Sequence, residues 1–232
     1  DLYLQEGPTA FVLLDGEFAI CLVDFRKQRL IIATDTFATK PLWFDVGQSG
    51  FCVASYKSQL LGIGCKTPAK LGANQIHEFC LSSGKPIKQT QLYKFSTKQF
   101  KSSFDDWNLA FEQSISKRID SLQFPMFIGL SSGMDSGAIA CELNKRNAQF
   151  HSFSIFESEN PTILNQRKNV LGKIDQVQLT LAKAMHYRLE LGRRCEGFQQ
   201  KKSDYIYDVR NDPGAIGLAA ICDKAQTSGC KV

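Results

Sequence analysis

No run of apolar residues in this chain approaches the ~18 that a membrane-crossing helix needs, and its start has no signal-peptide layout. No C-x-x-C pair occurs among the cysteines, at 21, 52, 65, 80, 141, 195, 222 and 230, and the three histidines do not cluster. That scatter argues against both a zinc site and a disulfide framework. Several cysteines sit in apolar runs, Cys21 in Phe18–Val23 and Cys52 in Phe51–Ala54, and read as small buried hydrophobes in a reducing, cytoplasmic compartment. Strong charge of one sign is also lacking. The net charge is +5, and the densest basic stretch, Arg193-Arg194 with Lys201-Lys202, is broken by Glu196 and flanked by Asp204. Such a stretch reads as a solvated face, so neither a nucleic-acid nor a membrane partner is expected. Internal repeats and low-complexity tracts are absent, and the chain does not open on Met. Its last residues, Gly229-Cys230-Lys231-Val232, resemble the beginning of another strand, so both ends read as cuts.

What is present is an ordinary soluble composition, 43% hydrophobic and 22% charged, arranged in two halves of different grammar. The first half is expected to be α+β with layered antiparallel sheets. Phe11–Leu14, Phe18–Val23, Leu30–Ala33, Leu42–Phe44, Phe51–Ala54 and Gln75–Leu81 are short, apolar and separated by turn residues, and only Tyr56–Ile63 has a helical pattern. From about residue 100 the period lengthens. Ser103 is placed to cap a helix with Phe104, Trp107, Phe111, Ile115 and Ile119 on one face. Pro125–Leu130 reads as a strand followed by a helix to about Arg146, and Phe150–Phe156 as a second strand. The pattern then predicts a long exposed loop over 157–174, a helix over Asp175–Met185, a strand over Tyr187–Leu191 and a helix over Pro213–Gln226. Alternating strands and helices predict a parallel α/β sheet, joined to the first half near Ser96–Ser102, with domains 1–98 and 99–232.

The most informative stretch is Leu130-Ser131-Ser132-Gly133-Met134-Asp135-Ser136, between the predicted strand and the helix whose apolar face is Ala138, Ile139, Ala140 and Leu143. A strand that feeds a Ser/Gly loop into a helix N-terminus is a ready anion site, because free N–H groups and the helix dipole converge there. Hydroxyls at Ser131, Ser132 and Ser136 add donors. The carboxylate of Asp135 makes sense at an anion site where Mg²⁺ lies between it and phosphate oxygens. The plainer alternative, a strand-loop-helix joint with ordinary capping residues, stays open on these residues alone.

That loop resembles the Ser-Gly-Gly-x-Asp-Ser ATP loop of asparagine synthetases and related ATP-dependent amide-forming enzymes. The first half resembles their class II glutamine amidotransferase domain. Leu14-Asp15-Gly16-Glu17-Phe18-Ala19 is similar to that domain's Leu-Asp-Gly-x-Phe-Ala strand. Thr34 to Leu42 is similar to its Arg-Asp-x-x-Gly-x-Lys-Pro-Leu segment, and Val53-Ala54-Ser55 with Leu60-Leu61 to its Ala-Ser-Glu corner. Asp212-Pro213, Ala215-Ile216 and Lys224-Ala225 resemble the helix before the family's second phosphate loop. The likeness spans nearly the whole chain and is loosest over 157–174 and 192–210. Thr34 replaces the family's Arg, Ala38 its Gly, Tyr56 its Glu and Ser132 its first loop Gly. The family's N-terminal Cys nucleophile would lie upstream of Asp1 and its second phosphate loop beyond Val232, so no catalytic residue is expected within these residues, and this piece alone is expected to be inactive.

The resemblance implies glutamine hydrolysis in the first domain, with ammonia passed to the second. There ATP with Mg²⁺ would activate a carboxylate, aspartate for an asparagine synthetase, as an acyl-adenylate that ammonia converts to the amide, releasing AMP and pyrophosphate. Leu130, Ser131, Ser132, Gly133, Asp135, Ser136 and Ile155 would bind the nucleotide, with Asp135 the metal contact. Partners would be the small molecules ATP, glutamine and the acceptor carboxylate, in a chain that could form a homodimer. A β-lactam-synthetase-like enzyme using another carboxylate and a degenerate nucleotide-binding scaffold without turnover are the alternatives. His77, His151 and His186 have no Ser, Cys or Asp partner readable from the sequence, Asp15 and Asp35 read as turn and packing residues, and Glu157 and Glu159 as solvated loop, with lining of the substrate side as the alternative.

Overall fold

A short helix, α1 (Leu2–Glu6), runs into a 3₁₀ segment, Gly7–Leu13, in a computed structural model that describes every residue except 48, 49, 121, 157, 158, 200–205 and 232. The expectations resting on Glu157, on Lys201-Lys202 with Asp204 and on Val232 therefore lie outside the described residues. The 3₁₀ segment corrects the strand predicted at Phe11–Leu14. Pro8, with no N–H to donate to a ladder and a φ suited to a helical first turn, favours it, and Phe11 is buried from that segment.

Strands β1 (Ala19–Asp24), β2 (Arg29–Thr34), β6 (Gln75–Cys80) and β7 (Pro86–Gln91) pair antiparallel in that order. A second antiparallel sheet contains β3 (Trp43–Gly47) between β4 (Gly50–Ala54) and β5 (Ala69–Lys70), with α2 (Lys57–Gly62) after β4. In β2 the residues Leu30 to Ala33 are all buried, which requires cover on both faces. Ile31 and Ala33 pack with Ile76, Phe11 and Leu92, with Tyr3 and Ile20 at the edge. Leu30 and Ile32 pack the other way, with Leu42, Leu71 and Phe79, bordered by Phe44, Phe51 and Val53 of the second sheet. The layered antiparallel architecture of this unit, Asp1–Gln99, follows from that two-sided burial.

The second unit, Phe100–Val232, holds α3 (Asp105–Ile119), β8 (Met126–Gly129), α4 (Met134–Lys145), β9 (Phe150–Ile155), α5 (Pro161–Leu171), β10 (Asp175–Val177), α6 (Leu181–Arg194) and α7 (Pro213–Thr227). Two-residue strands β11 (Phe198–Gln199) and β12 (Ile206–Tyr207) form a small antiparallel ribbon. Among the described residues, β10, β9 and β8 make a parallel sheet of three strands. One face carries Ile128 and Leu130 against Ala140 of α4, with Leu171 of α5 alongside. The other carries Phe153 and Val177 against Ala220, Ile221 and Ala225 of α7. Helices thus cover both faces of the sheet.

Three predictions for this unit are corrected. Residues 161–171 form α5, where Asn160 Oδ1 accepts from Thr162 N and Ile163 N and Pro161 takes the first helical turn. Asp175–Met185 is not one helix: β10 comes first, and α6 begins only after Thr180, whose side chain accepts from Lys183 N. Tyr187–Leu191 is helical within α6, which leaves His186 in mid-helix. The predicted faces also shift. On α3 Ile115 is buried while Trp107 is exposed, as is Phe104 at the cap, and on α4 Gly137, Ala140 and Leu143 are buried while Ala138 is exposed. Residues 228–231 are turn and coil, with Gly229 at φ 84°, so no strand begins there among the described residues. The eight thiols are free, but only Cys230 is buried; Cys21, Cys141 and Cys195 are exposed. In β1 the inward positions are taken by Ile20 and Leu22, which leaves Cys21 on the more open side.

Candidate functional site

In the first unit the Thr34–Leu42 segment is organised by one carboxylate. Asp35 is 3% exposed. Its Oδ1 accepts from Phe37 N (2.9 Å), Thr39 N (3.1 Å) and Thr39 Oγ1 (3.1 Å). Its Oδ2 accepts from Phe18 N (3.1 Å) and Lys40 N (3.4 Å). Burial pushes the Asp35 carboxyl up, but the backbone donors of Thr39, Phe37 and Phe18 and the Thr39 hydroxyl outweigh it and hold it below the ordinary carboxylate range. Thr34 is fully buried and its Oγ1 donates to Gly72 O at 2.6 Å, tying this segment to the approach to β6. Ala38 stands at φ 49°, a left-handed conformation that glycine enters without a Cβ penalty. Tyr56 precedes α2, where its N donates to Gln59 Oε1 at 3.2 Å. His77 is half-buried on β6 against Gln75 Oε1 (3.1 Å), and burial pushes its pKa down.

In the second unit β8 ends at Gly129, and Leu130, 1% exposed, closes the strand with its N–H on Phe153 O at 2.7 Å. The chain then turns through Ser131, Ser132 and Gly133 into α4. Ser131 Oγ lies 2.9 Å from Ser136 Oγ, Ser136 Oγ accepts from Ser131 N (3.1 Å), and Ser131 Oγ accepts from Gly133 N (3.1 Å). Asp135 is exposed in the first turn of α4. Ile155 ends β9, in register with Val177, and packs toward α7, where a Cβ on Gly217 would meet its side chain at 3.5 Å. The loop therefore brings Leu130 to Ser136 together, while the Ile155 side chain is on the α7 face. The Ser154 hydroxyl, on the face shared with Leu130, is buried and has no hydrogen-bond partner.

Two residues outside the expected site hold the loop. Glu159 Oε2 accepts from both Ser132 N (2.6 Å) and Ser132 Oγ (2.7 Å). Arg167, from α5, donates to the carbonyls of Ser131, Ser132 and Gly133. Gly137 admits that guanidinium, since a Cβ there would collide with it. The sequence signal was weak for both, because each lies about thirty residues along the chain, in the segment read as loop.

The donor set suits an anionic oxygen: one side-chain carboxylate already rests on an N–H and a hydroxyl of the loop. For a divalent cation the fit is narrower. Among the described residues no group of three or more His, Cys, Asp or Glu side chains converges, so Asp135 would supply one ligand and phosphate oxygens and water the rest. No described helix is long and apolar enough to cross a membrane. A family profile for the glutamine amidotransferase domain matches residues 1–62. No curated protein matches the chain.

Proposed function

We propose that this chain acts in glutamine-dependent, ATP-driven amide formation, with aspartate as the acceptor and asparagine as the product. The amidotransferase match to residues 1–62 supports glutamine as the nitrogen source. The observation that carries the ATP half is the Ser131–Ser136 loop, where Ser132 N–H and Oγ converge on a single carboxylate oxygen at 2.6 and 2.7 Å. Donors so arranged at the start of α4 favour an oxygen bearing negative charge, and departing pyrophosphate is such a group. Ser131, Ser132, Gly133 and Ser136 would cradle phosphate, Asp135 would hold Mg²⁺, and the backbones of Leu130 and Ile155 would hold the nucleoside at the strand ends where open α/β sheets take ligands. Arg167 would keep the loop carbonyls turned away from the phosphates. The metal, when bound, supplies charge neutralisation on the phosphate oxygens. A cytoplasmic, homodimeric enzyme accords with this reading.

A nucleotide-binding scaffold without turnover is the second reading, favoured by the departures from the similar family's pattern at Thr34, Ala38, Tyr56 and Ser132. The test is thermal. Mg²⁺–ATP should raise the protein's melting temperature, and Asp135→Ala should abolish the shift. An equal shift in the variant would remove Asp135 from the metal role, and no shift in either protein would remove the ATP site.

A further inference from the structure

Glu159 stands just before the cap of α5 and reaches back over the loop. Its Oε2 takes the Ser132 N–H at 2.6 Å and the Ser132 hydroxyl at 2.7 Å. Asn160 N adds a bond to Ser132 Oγ at 3.3 Å, so the α5 cap is stitched to the same residue. Arg167 Nη2, about two turns further along α5, holds Gly133 O at 2.8 Å. The loop is thus gripped by α5 on its carbonyls and covered by a carboxylate on its donors. Ser132, a departure from the Gly of the similar loop, provides the second of the two bonds to Glu159; a glycine there would leave only the N–H.

We propose that Glu159 is an internal anion that closes the phosphate cradle and is displaced when nucleotide phosphate binds. The inference rests on the nucleotide reading of the loop. An N–H carries one proton, and two anionic oxygens on one donor repel, so carboxylate and phosphate exclude each other. Charge-assisted bonds of this length are about twice as strong as neutral ones, which favours the closed form in the free protein. A ligand that needs the open form binds more weakly by the fraction of molecules that are open. The device sets the threshold at which nucleotide enters, and Ser132 adjusts it.

Titration calorimetry on the purified protein tests this, with Mg²⁺–ATP and with inorganic pyrophosphate as probes. Glu159→Gln keeps the shape and removes the charge, and is expected to tighten both probes about tenfold by raising the open fraction. Ser132→Gly removes one of the two bonds and should tighten them about threefold. Amide exchange at Ser132 in the free protein should speed up in Glu159→Gln. If the unmodified protein binds Mg²⁺–ATP and Glu159→Gln binds it equally or more weakly, the displacement proposal is overturned while the nucleotide reading stands. If neither protein binds either probe, the nucleotide reading fails and the proposal falls with it.

Discussion

Replacing Asp35 with Asn changes one atom and disturbs five hydrogen bonds. The amide keeps one acceptor oxygen. Its least costly pose puts that oxygen at Oδ1, facing Phe37 N, Thr39 N and Thr39 Oγ1, and sets the NH₂ group against Phe18 N and Lys40 N. Lys40 N, at 3.4 Å, loses little, but Phe18 N at 3.1 Å becomes a donor facing a donor. One unmet buried donor costs about 1–3 kcal/mol, and the three retained bonds lose their charge assistance, so the total is roughly 2–4 kcal/mol. Urea unfolding followed by Trp43 fluorescence in a Trp107→Phe background isolates this unit, since Trp43 is on β3 and Trp107 on α3. With a slope of about 1–3 kcal/mol per molar urea, the midpoint should fall by roughly 1–2 M. The pH dependence follows from the depressed folded pKa. The Asp35 contribution is complete above the unfolded carboxylate value of about 3.9 and is lost as pH falls through the lower folded value. The gap between the two proteins should therefore be constant above about pH 5 and narrow below pH 4. A midpoint unchanged at pH 7, or a gap indifferent to acid, would refute the role given to this carboxylate.

Ala38→Gly relieves the left-handed φ of 49° and should stabilise the first unit by about 0.5–1 kcal/mol in the same urea assay, the removed strain of ~1–2 kcal/mol being partly offset by glycine's greater unfolded freedom. Arg167→Leu removes the charged donor from the loop carbonyls of Ser131 and Gly133, leaving them the longer bonds from Ser136 Oγ (3.3 Å) and Gly137 N (3.4 Å), and should weaken Mg²⁺–ATP binding at least about fivefold by calorimetry, a hydrogen bond to a charged group being worth about 1.5–3 kcal/mol. Cys80, whose thiol the Ser82 hydroxyl and then Ser83 push down to about 6, should be the first cysteine alkylated by iodoacetamide at pH 7, as peptide mapping would register.

β1, β2, β3, β4 and β6 were legible as short apolar runs between turn residues, and Leu30 to Ala33 is the run that β2 buries on both faces. The polar β7, mostly exposed, and the two-residue β5 carry no such run and were not predicted. The β8-to-α4 joint was legible because the Ser and Gly residues break an apolar run. Misreadings arose where one residue type serves two structures. Asn160 and Pro161 are loop punctuation in isolation, yet here they are the cap and first turn of α5, which buries little beyond Leu164. Tyr187 and Leu191 look strand-like by composition, but the cap at Thr180 places them in α6. Phe11 has a strand's composition and buries itself from a 3₁₀ segment instead. Asp35 was read as a packing residue, and its hydrogen bonds to the backbone between Phe18 and Lys40 depend on how two segments meet. Glu159 and Arg167 were hidden for the same reason, because their contacts with the loop cross 27 to 36 residues of chain.

The reaction itself tests the central claim most directly. The full-length protein, incubated with Mg²⁺–ATP, aspartate and glutamine, should release AMP and pyrophosphate in step with asparagine and glutamate, and should do so only when aspartate is present. ATP left intact, or cleaved to ADP without formation of an amide, would contradict the account.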